Sequence, residues 1–114
     1  MCSGEEGPRG LAHWFKTCLE ARGYTVKIVK RRGGLLDILA VGGDRVFIAV
    51  VRGRRKRKVT ARDIRRVVET AQYLSARPVL AVPRGAVLTR EARRLVRKLG
   101  VELRRLPTRR RGGR

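Results

Sequence analysis

The sequence GLLDILAVGGDRVFIAVV at residues 34–51 indicates the fold class more strongly than any other part of the chain. Two apolar runs, 35–41 and 46–51, flank the glycine turn 42–44. Apolar runs of this length on either side of a glycine turn are typical of buried strands joined in a β-hairpin. The stretch therefore predicts two neighbouring strands inside a sheet, with the acidic side chain of Asp37 in the first of them.

The segments before the hairpin predict a helix and a further strand. Apolar residues at 11, 15, 18 and 19 have the spacing of one helix face, which places a helix at about 9–22 that ends at Gly23. Residues 24–30, YTVKIVK, alternate in polarity and are rich in β-branched side chains, as in a strand. Residues 1–8 are small and polar, and we expect them to form a flexible lead.

The segments after the hairpin predict helices that alternate with strands. Thr60 and Asp63 form a capping-box pattern, which begins a second helix. A short apolar run at 78–82 predicts a strand, Thr89 begins a third helix, and 101–106 can form a last strand. The element order αβββαβαβ predicts an α/β domain with a mixed sheet and helices on both faces.

Two basic segments lie outside these elements. The run RGRRKRK at 52–58 is expected to be a loop between a buried strand and a capped helix. After Pro107 the tail TRRRGGR has no apolar residue, so we expect 107–114 to be disordered. The α/β domain itself is therefore expected over 9–106.

The charge of the chain indicates its partner. The 114 residues contain 30 Lys and Arg against 9 Asp and Glu, for a formal net charge of +21. A protein this basic needs a strongly anionic partner, and nucleic acid is the usual one. No stretch approaches the roughly 20 apolar residues of a membrane span, and the acidic start MCSGEE lacks the apolar segment of a signal peptide. We expect a cytoplasmic, nucleoid-associated protein that does not bind membranes.

The residue composition also suggests a source and restricts the chemistry. The chain has no Asn, one Gln and 24 Arg, which is typical of thermophilic proteins, although a GC-rich genome also favours Arg. Two cysteines and one histidine, His13, are too few for a structural zinc site with its four ligands. We therefore expect no structural zinc site from the composition, and we expect no cofactor unless the chain is an active Mg²⁺-dependent nuclease.

Four segments in order and spacing resemble the restriction-endonuclease-like, or PD-(D/E)XK, superfamily. They are LEARGYTV at 19–26, GLLDILA at 34–40, FIAVVR at 47–52 and PVLAV at 78–82. The chain is most similar to archaeal Holliday-junction resolvases and Mrr-type endonucleases in these segments. The resemblance implies a restriction-endonuclease-like fold, a DNA substrate, Mg²⁺ as cofactor and a homodimer, for which the strand near 101–106 could pair edge to edge. The first two segments also resemble the C-terminal domain of tRNA-splicing endonucleases, but the catalytic Tyr-His-Lys set of that family has no counterpart here.

The catalytic motif of the superfamily is degenerate in this chain. The family cleaves phosphodiesters with a divalent cation held by carboxylates from two neighbouring strands, and a Lys two residues after the second carboxylate assists. Asp37 matches the first carboxylate. The second carboxylate and the Lys fall on Ala49 and Val51 or, with a shift of one residue, on Val50 and Arg52. Both alignments lack the second acid, so we predict no metal-dependent cleavage.

Two further interpretations of the acidic residues are open. A helix could supply the missing carboxylate, from Glu20, Asp63 or Glu69, and Mg²⁺ would then be the cofactor of an active nuclease. Alternatively, Asp37 is an ordinary polar residue that pairs with Arg31 or Arg32.

The basic residues are the candidate nucleic-acid contacts. No acidic residue is interleaved with the basic loop, and the polar faces of the last two helices are also rich in Arg. Further basic residues follow at Arg104 and Arg105 and in the tail. The candidate phosphate contacts are Arg52, Arg54, Arg55, Lys56, Arg57, Lys58, Arg62, Arg65, Arg66, Arg109, Arg110 and Arg111.

The favoured function is sequence-independent binding of nucleic acid through its phosphates, without cleavage. Few aromatic residues are available to stack single-stranded bases, which favours double-stranded or branched DNA. An active, structure-selective DNA endonuclease is the enzyme alternative. An RNA- or ribosome-associated basic protein is the third hypothesis.

Overall fold

The computed structural model of the chain describes residues 10–31, 35–51 and 58–106. The predicted flexible lead, most of the basic loop and the predicted tail lie outside the described residues. The elements in chain order are α1 (Leu11–Ala21), β1 (Thr25–Arg31), β2 (Leu35–Val41), β3 (Arg45–Val51), β4 (Lys58–Val59), α2 (Ala61–Tyr73), β5 (Arg77–Val82), β6 (Val87–Leu88), α3 (Arg90–Leu99) and β7 (Glu102–Arg105).

The main sheet has five strands in the order β1-β2-β3-β5-β7. The first three form an antiparallel meander, and β5 and β7 each join in parallel after a helical crossover. The predicted mixed α/β sheet is therefore confirmed. Strands β2, β3 and β5 lie where the apolar runs place them, because a buried run of this length has few alternatives to a central strand. The edge strands β1 and β7 lie at the alternating segment 24–30 and at the possible last strand 101–106.

The central strand β3 is buried on both faces, and its side chains alternate between two cores. Val46, Ile48 and Val50 belong to a core that α1 covers through Leu11 and Phe15. The alternate β3 residues join a second core under α2 and α3. The β3, α2 and α3 members of this second core are Phe47, Ala49, Val51, Ile64, Val67, Ala71 and Ala92. The helices therefore cover both faces of the sheet, as predicted.

The helix ends follow local sequence signals. Thr60 and Asp63 form the predicted capping box, in which Asp63 Oδ2 accepts from the Thr60 backbone N–H at 2.9 Å. The Thr89 hydroxyl accepts from the Ala92 N–H at 3.1 Å at the start of α3. Gly100 follows α3 with φ 69°, a left-handed conformation that glycine adopts without strain.

Strands β4 and β6 were not expected from the sequence. Lys58 was placed in the basic loop, but with Val59 it pairs in parallel with Val87 and Leu88. Strands of two residues are too short to show a period, so the pairing of two distant segments decides this element. Its consequence is that α2 and α3, which each begin just after one of the two strands, start side by side.

Among the described residues, no helix is long and apolar enough to cross a membrane.

Candidate functional site

Asp37 lies in the middle of β2, on the face of the sheet that α2 and α3 cover. The residues paired with it on the two adjacent strands are Val29 on β1 and Ala49 on β3. Directly opposed side chains on neighbouring antiparallel strands are about 5 Å apart at Cβ. Position 49 is therefore where a second acid would have to lie to share a metal ion with Asp37.

The structure shows which of the two alignments of the degenerate motif places its residues on the same face of the sheet as Asp37. Ala49 is opposite Asp37, and Val51, two residues further along β3, lies on the same face. Val50 points into the other core, under α1, so it cannot share a site with Asp37. Arg52 lies outside the described residues. On Asp37's face both motif positions are therefore apolar and buried.

The carboxylate of Asp37 forms ion pairs with two arginines. Arg31 Nη1 donates to Oδ2 at 3.0 Å from the neighbouring strand, as one interpretation predicted. Arg66 Nη2 on α2 donates to Oδ1 at 3.4 Å. The sequence placed Arg66 among the surface phosphate contacts and offered no signal for this pair, because 29 residues separate it from Asp37. We call Asp37, Arg31 and Arg66 the Asp37 cluster.

The Asp37 cluster does not fit a divalent metal ion. Mg²⁺ prefers oxygen ligands, whereas here one carboxylate faces two guanidinium groups. No group of three or more His, Cys, Asp or Glu side chains that could hold a metal occurs in the described parts of the chain. Of the candidate helical acids, Asp63 forms the N-terminal cap of α2. Glu20 lies on α1, which covers the opposite face of the sheet, and Glu69 is exposed on α2.

The outer faces of α2 and α3 form a second candidate site, which we call the helical basic surface. It comprises Arg62, Arg65, Arg90, Arg93, Arg94, Arg97 and Lys98. All of them are exposed, and within ranges 10–31, 35–51 and 58–106 none forms an ion pair. Lys58 is exposed as well, in β4 just before α2. The helical basic surface therefore carries seven cations that form no ion pair among the described residues, against two exposed acids on the same helices, Glu69 and Glu91.

A cleft lies where α2 and α3 begin. The Thr89 backbone N–H donates to the Val59 carbonyl at 3.0 Å, which extends the β4–β6 pairing to the first residue before α3. This brings Arg62 and Arg65 of α2 to the same cleft as Arg90 of α3, with Glu91 as the one acidic residue in its lining. The positive ends of the two helix dipoles point in this direction as well. The arginines are therefore grouped by tertiary pairing rather than by sequence proximity.

Other arginines form ion pairs or hydrogen bonds within the fold. Arg77 pairs with Asp44 at 3.2 Å, and Arg104 donates to Glu102 at 2.5 Å. Arg105 Nη1 donates to the carbonyls of the turn before β6, including that of Ala86 at 2.8 Å. The described part of the predicted C-terminal basic run is therefore structural, because β7 places it beside an acid and a turn. Arg109, Arg110 and Arg111 lie outside the described residues, as do Arg54, Arg55, Lys56 and Arg57.

The β2–β3 turn is held by polar contacts of Asp44. The Tyr24 hydroxyl donates to Asp44 Oδ1 at 2.5 Å, and this hydrogen bond raises the pKa of Tyr24 above its usual value. Asp44 also accepts from Arg77, so this carboxylate is engaged in the structure.

Comparison with known proteins supports the fold. No protein-family model matches the chain, and no curated protein matches it at a significant level. The structure is similar to apo EndoMS, with a TM-score of 0.59 and 21% identity over 87% of this chain and 47% of that one. It is also similar to a repair endonuclease from Pyrococcus abyssi, with a TM-score of 0.53 and 23% identity over 92% and 49%. The chain spans about half the length of each, and it shares the fold of their matched parts.

Proposed function

We propose that the protein binds double-stranded or branched DNA through backbone phosphates, independently of sequence, on a nuclease-like fold that no longer cleaves. The observation that supports binding is the helical basic surface, where exposed cations have no acidic partner among the described residues. Contacts from Arg and Lys to phosphates position a protein on a duplex without reading its bases. Such a surface therefore favours affinity over sequence specificity.

The electrostatics of the surface match a polyanion. Duplex DNA presents one negative charge per about 1.7 Å of helix axis, and each neutralised phosphate releases a counterion. Helices α2 and α3 pack together over the same core, so their exposed arginines lie on one side of the sheet. An anionic duplex can therefore meet several of these arginines at once.

The choice of DNA rests on the fold neighbours. One of the two similar structures described above is a repair endonuclease. A chain with the same fold and a surplus of positive charge is well suited to the same class of polymer.

The proposal that cleavage is lost rests on the Asp37 face of the sheet. A metal-dependent nuclease needs at least a second carboxylate near the first, and position 49 opposite Asp37 is an alanine with 1% exposure. The arginines of the Asp37 cluster cannot replace the missing second carboxylate, because a guanidinium stays protonated and cannot act as a base.

The test compares binding and cleavage on the same substrates. Fluorescence anisotropy on duplex, flap and four-way-junction DNA, and on duplex RNA, should show binding to several unrelated DNA sequences that weakens steeply with salt. No substrate should be cut in Mg²⁺ or Mn²⁺, with a nuclease that retains both acids as the positive control. Cutting that disappears in Asp37→Ala would establish the endonuclease alternative, and preference for RNA would favour the ribosome-associated one.

The proposal extends to assembly and location. β7 forms an edge of the five-stranded sheet, so a second copy could pair with it, as the resemblance to dimeric resolvases implies. Light scattering on the purified chain would measure its mass, and a monomeric mass with and without DNA would contradict the homodimer. Association with the nucleoid is expected to follow from DNA binding and is tested by its loss on DNase treatment.

A further inference from the structure

The Asp37 cluster has an excess of positive charge where a nuclease-like fold would hold metal ions. One carboxylate is shared by two guanidinium groups, so the formal charge of the three side chains is +1. Neither Ala49 nor Val51 adds a charge on this face of the sheet. The cluster therefore offers a phosphate positive charge from guanidinium groups, at the place where a metal-dependent nuclease would offer it from a metal ion.

We propose that the Asp37 cluster is a phosphodiester-binding subsite in which Arg66 and Arg31 supply the positive charge. Asp37 pairs with both guanidinium groups and competes with the phosphate for them. The subsite rests on the proposed function, because its ligand is a backbone phosphate of the nucleic acid that the helical basic surface attracts. The subsite adds a specific phosphate contact beside β2 to the nonspecific electrostatic attraction of the helical basic surface.

Asp37 holds Arg66 less tightly than it holds Arg31. Nη2 of Arg66 is 3.4 Å from Asp37 Oδ1, longer than the 3.0 Å of the Arg31 pair and longer than the roughly 2.7–2.9 Å of a strong charge-assisted hydrogen bond. Its Nη1 is buried and has no hydrogen-bond partner in the part of the chain that the structure describes. An unpaired buried donor is unfavourable, so a phosphate that draws the guanidinium outward removes that cost.

The surface beside the cluster leaves room for the ligand. A depression between β1 and the C-terminal half of α2 opens onto Asp37. Lys27, Arg31 and Thr70 lie among its otherwise largely apolar lining, whereas Arg66 is outside the lining and reaches the site through its ion pair with Asp37. Two cations and one hydroxyl at this opening are donors for a phosphate. The side chain of Arg66 is 35% exposed and that of Arg31 is 45% exposed, so both can be reached from solvent, whereas Asp37 is only 16% exposed.

The test uses charge variants with matched controls on the opposite face. Asp37→Asn removes the carboxylate from the subsite, and Glu20→Gln makes the same charge change on the exposed end of α1. Arg66→Gln removes one cation, and Arg22→Gln is its control just after α1. Binding to one short DNA duplex is measured by anisotropy over a range of salt, after circular dichroism has shown that each variant is folded.

The proposal predicts opposite effects for the two variants. Asp37→Asn should tighten binding at low salt by about threefold, the effect of one unit charge at roughly 6 Å in water. Arg66→Gln should weaken binding and reduce the slope of log K against log salt by about 0.9, the contribution of one phosphate contact. Both controls should change affinity by less. If Asp37→Asn instead weakens binding, or both variants match their controls, the subsite is overturned while the proposed function stands.

A measurement on the unmodified protein gives an independent test. The side-chain Nε–H signals of Arg66 and Arg31, assigned by comparison with Arg66→Lys and Arg31→Lys, should shift when duplex is added. Arg105, which donates to backbone carbonyls, is the internal reference and should stay in place. Unchanged Arg66 and Arg31 signals on a bound duplex would overturn the subsite, and failure of the unmodified protein to bind any duplex would overturn the proposed function with it.

Discussion

The Asp37 cluster and the helical basic surface use the same residue type in opposite ways. In the cluster, Arg31 and Arg66 share a carboxylate whose side chain is only 16% exposed. On the outer faces of α2 and α3, the arginines are exposed and have no acidic partner among the described residues. The comparison shows that the role of an arginine in this basic protein depends on whether the fold brings an acid within reach.

The two regions should also respond differently to salt. Interactions between exposed charges are screened over about 8–10 Å at ordinary ionic strength, whereas partly buried pairs are screened much less. The helical basic surface should therefore control the salt dependence of binding. The Asp37 cluster should contribute less to the salt dependence, through the contact proposed for Arg66, and should also contribute to stability.

The largest expected effect is on DNA affinity when the helical basic surface is neutralised. Replacing Arg62, Arg65, Arg90 and Arg93 with Gln should lower the slope of log K against log salt by about three to four, because each phosphate contact contributes about 0.9. Binding to all sequences should weaken alike, since phosphate contacts do not read bases. Anisotropy titrations at several salt concentrations measure both.

The matched variant for this experiment replaces Arg54, Arg55, Lys56 and Arg57, the basic loop outside the described residues, with Gln. It removes the same charge from a different segment. If only the loop variant loses the salt slope, the helical basic surface is not the binding surface and the comparison between the two regions fails.

A smaller effect is expected on stability when the Asp37 cluster is broken. Asp37→Ala leaves two guanidinium groups without their carboxylate and should cost about 1–2 kcal/mol, in the range of hydrogen bonds to charged groups in partly exposed positions. Arg62→Ala, on the same helix as Arg66 but exposed and unpaired among the described residues, should change stability by less than about 0.5 kcal/mol. Urea unfolding followed by circular dichroism measures the free energy of unfolding. Equal losses in the two variants would mean that the cluster is not a stabilising feature.

The smallest effect is a change in how salt affects folding. Like charges on α2 and α3 repel one another, so the four-residue helical variant should be more stable than the unmodified protein at low salt by about 0.5–1 kcal/mol. The difference should fade as added salt screens the repulsion. Thermal unfolding at low and high salt tests this, and a difference that does not change with salt would show that the mutations act through packing instead.

The sequence predicted most of the fold because its signals are local. The apolar runs of β2 and β3, the glycine turn between them and the capping box at Thr60 are each readable within a few residues. The β4–β6 pair was missed because two-residue strands have no period and their partners are far apart in the chain. For the same reason, the cleft that joins Arg62, Arg65 and Arg90 could not be foreseen.

For the candidate site too, the sequence determined the local features and the tertiary structure decided the contacts between distant residues. The sequence alone determined that Asp37 lacks a second acid at either motif position and that positive charge greatly exceeds negative charge, because both are properties of composition and spacing. Only the tertiary structure decided that Ala49 faces Asp37, that Arg66 reaches its carboxylate across 29 residues, and that Arg105 is used within the fold. These outcomes depend on strand register and helix packing, which bring distant residues within the few ångströms over which hydrogen bonds and ion pairs form.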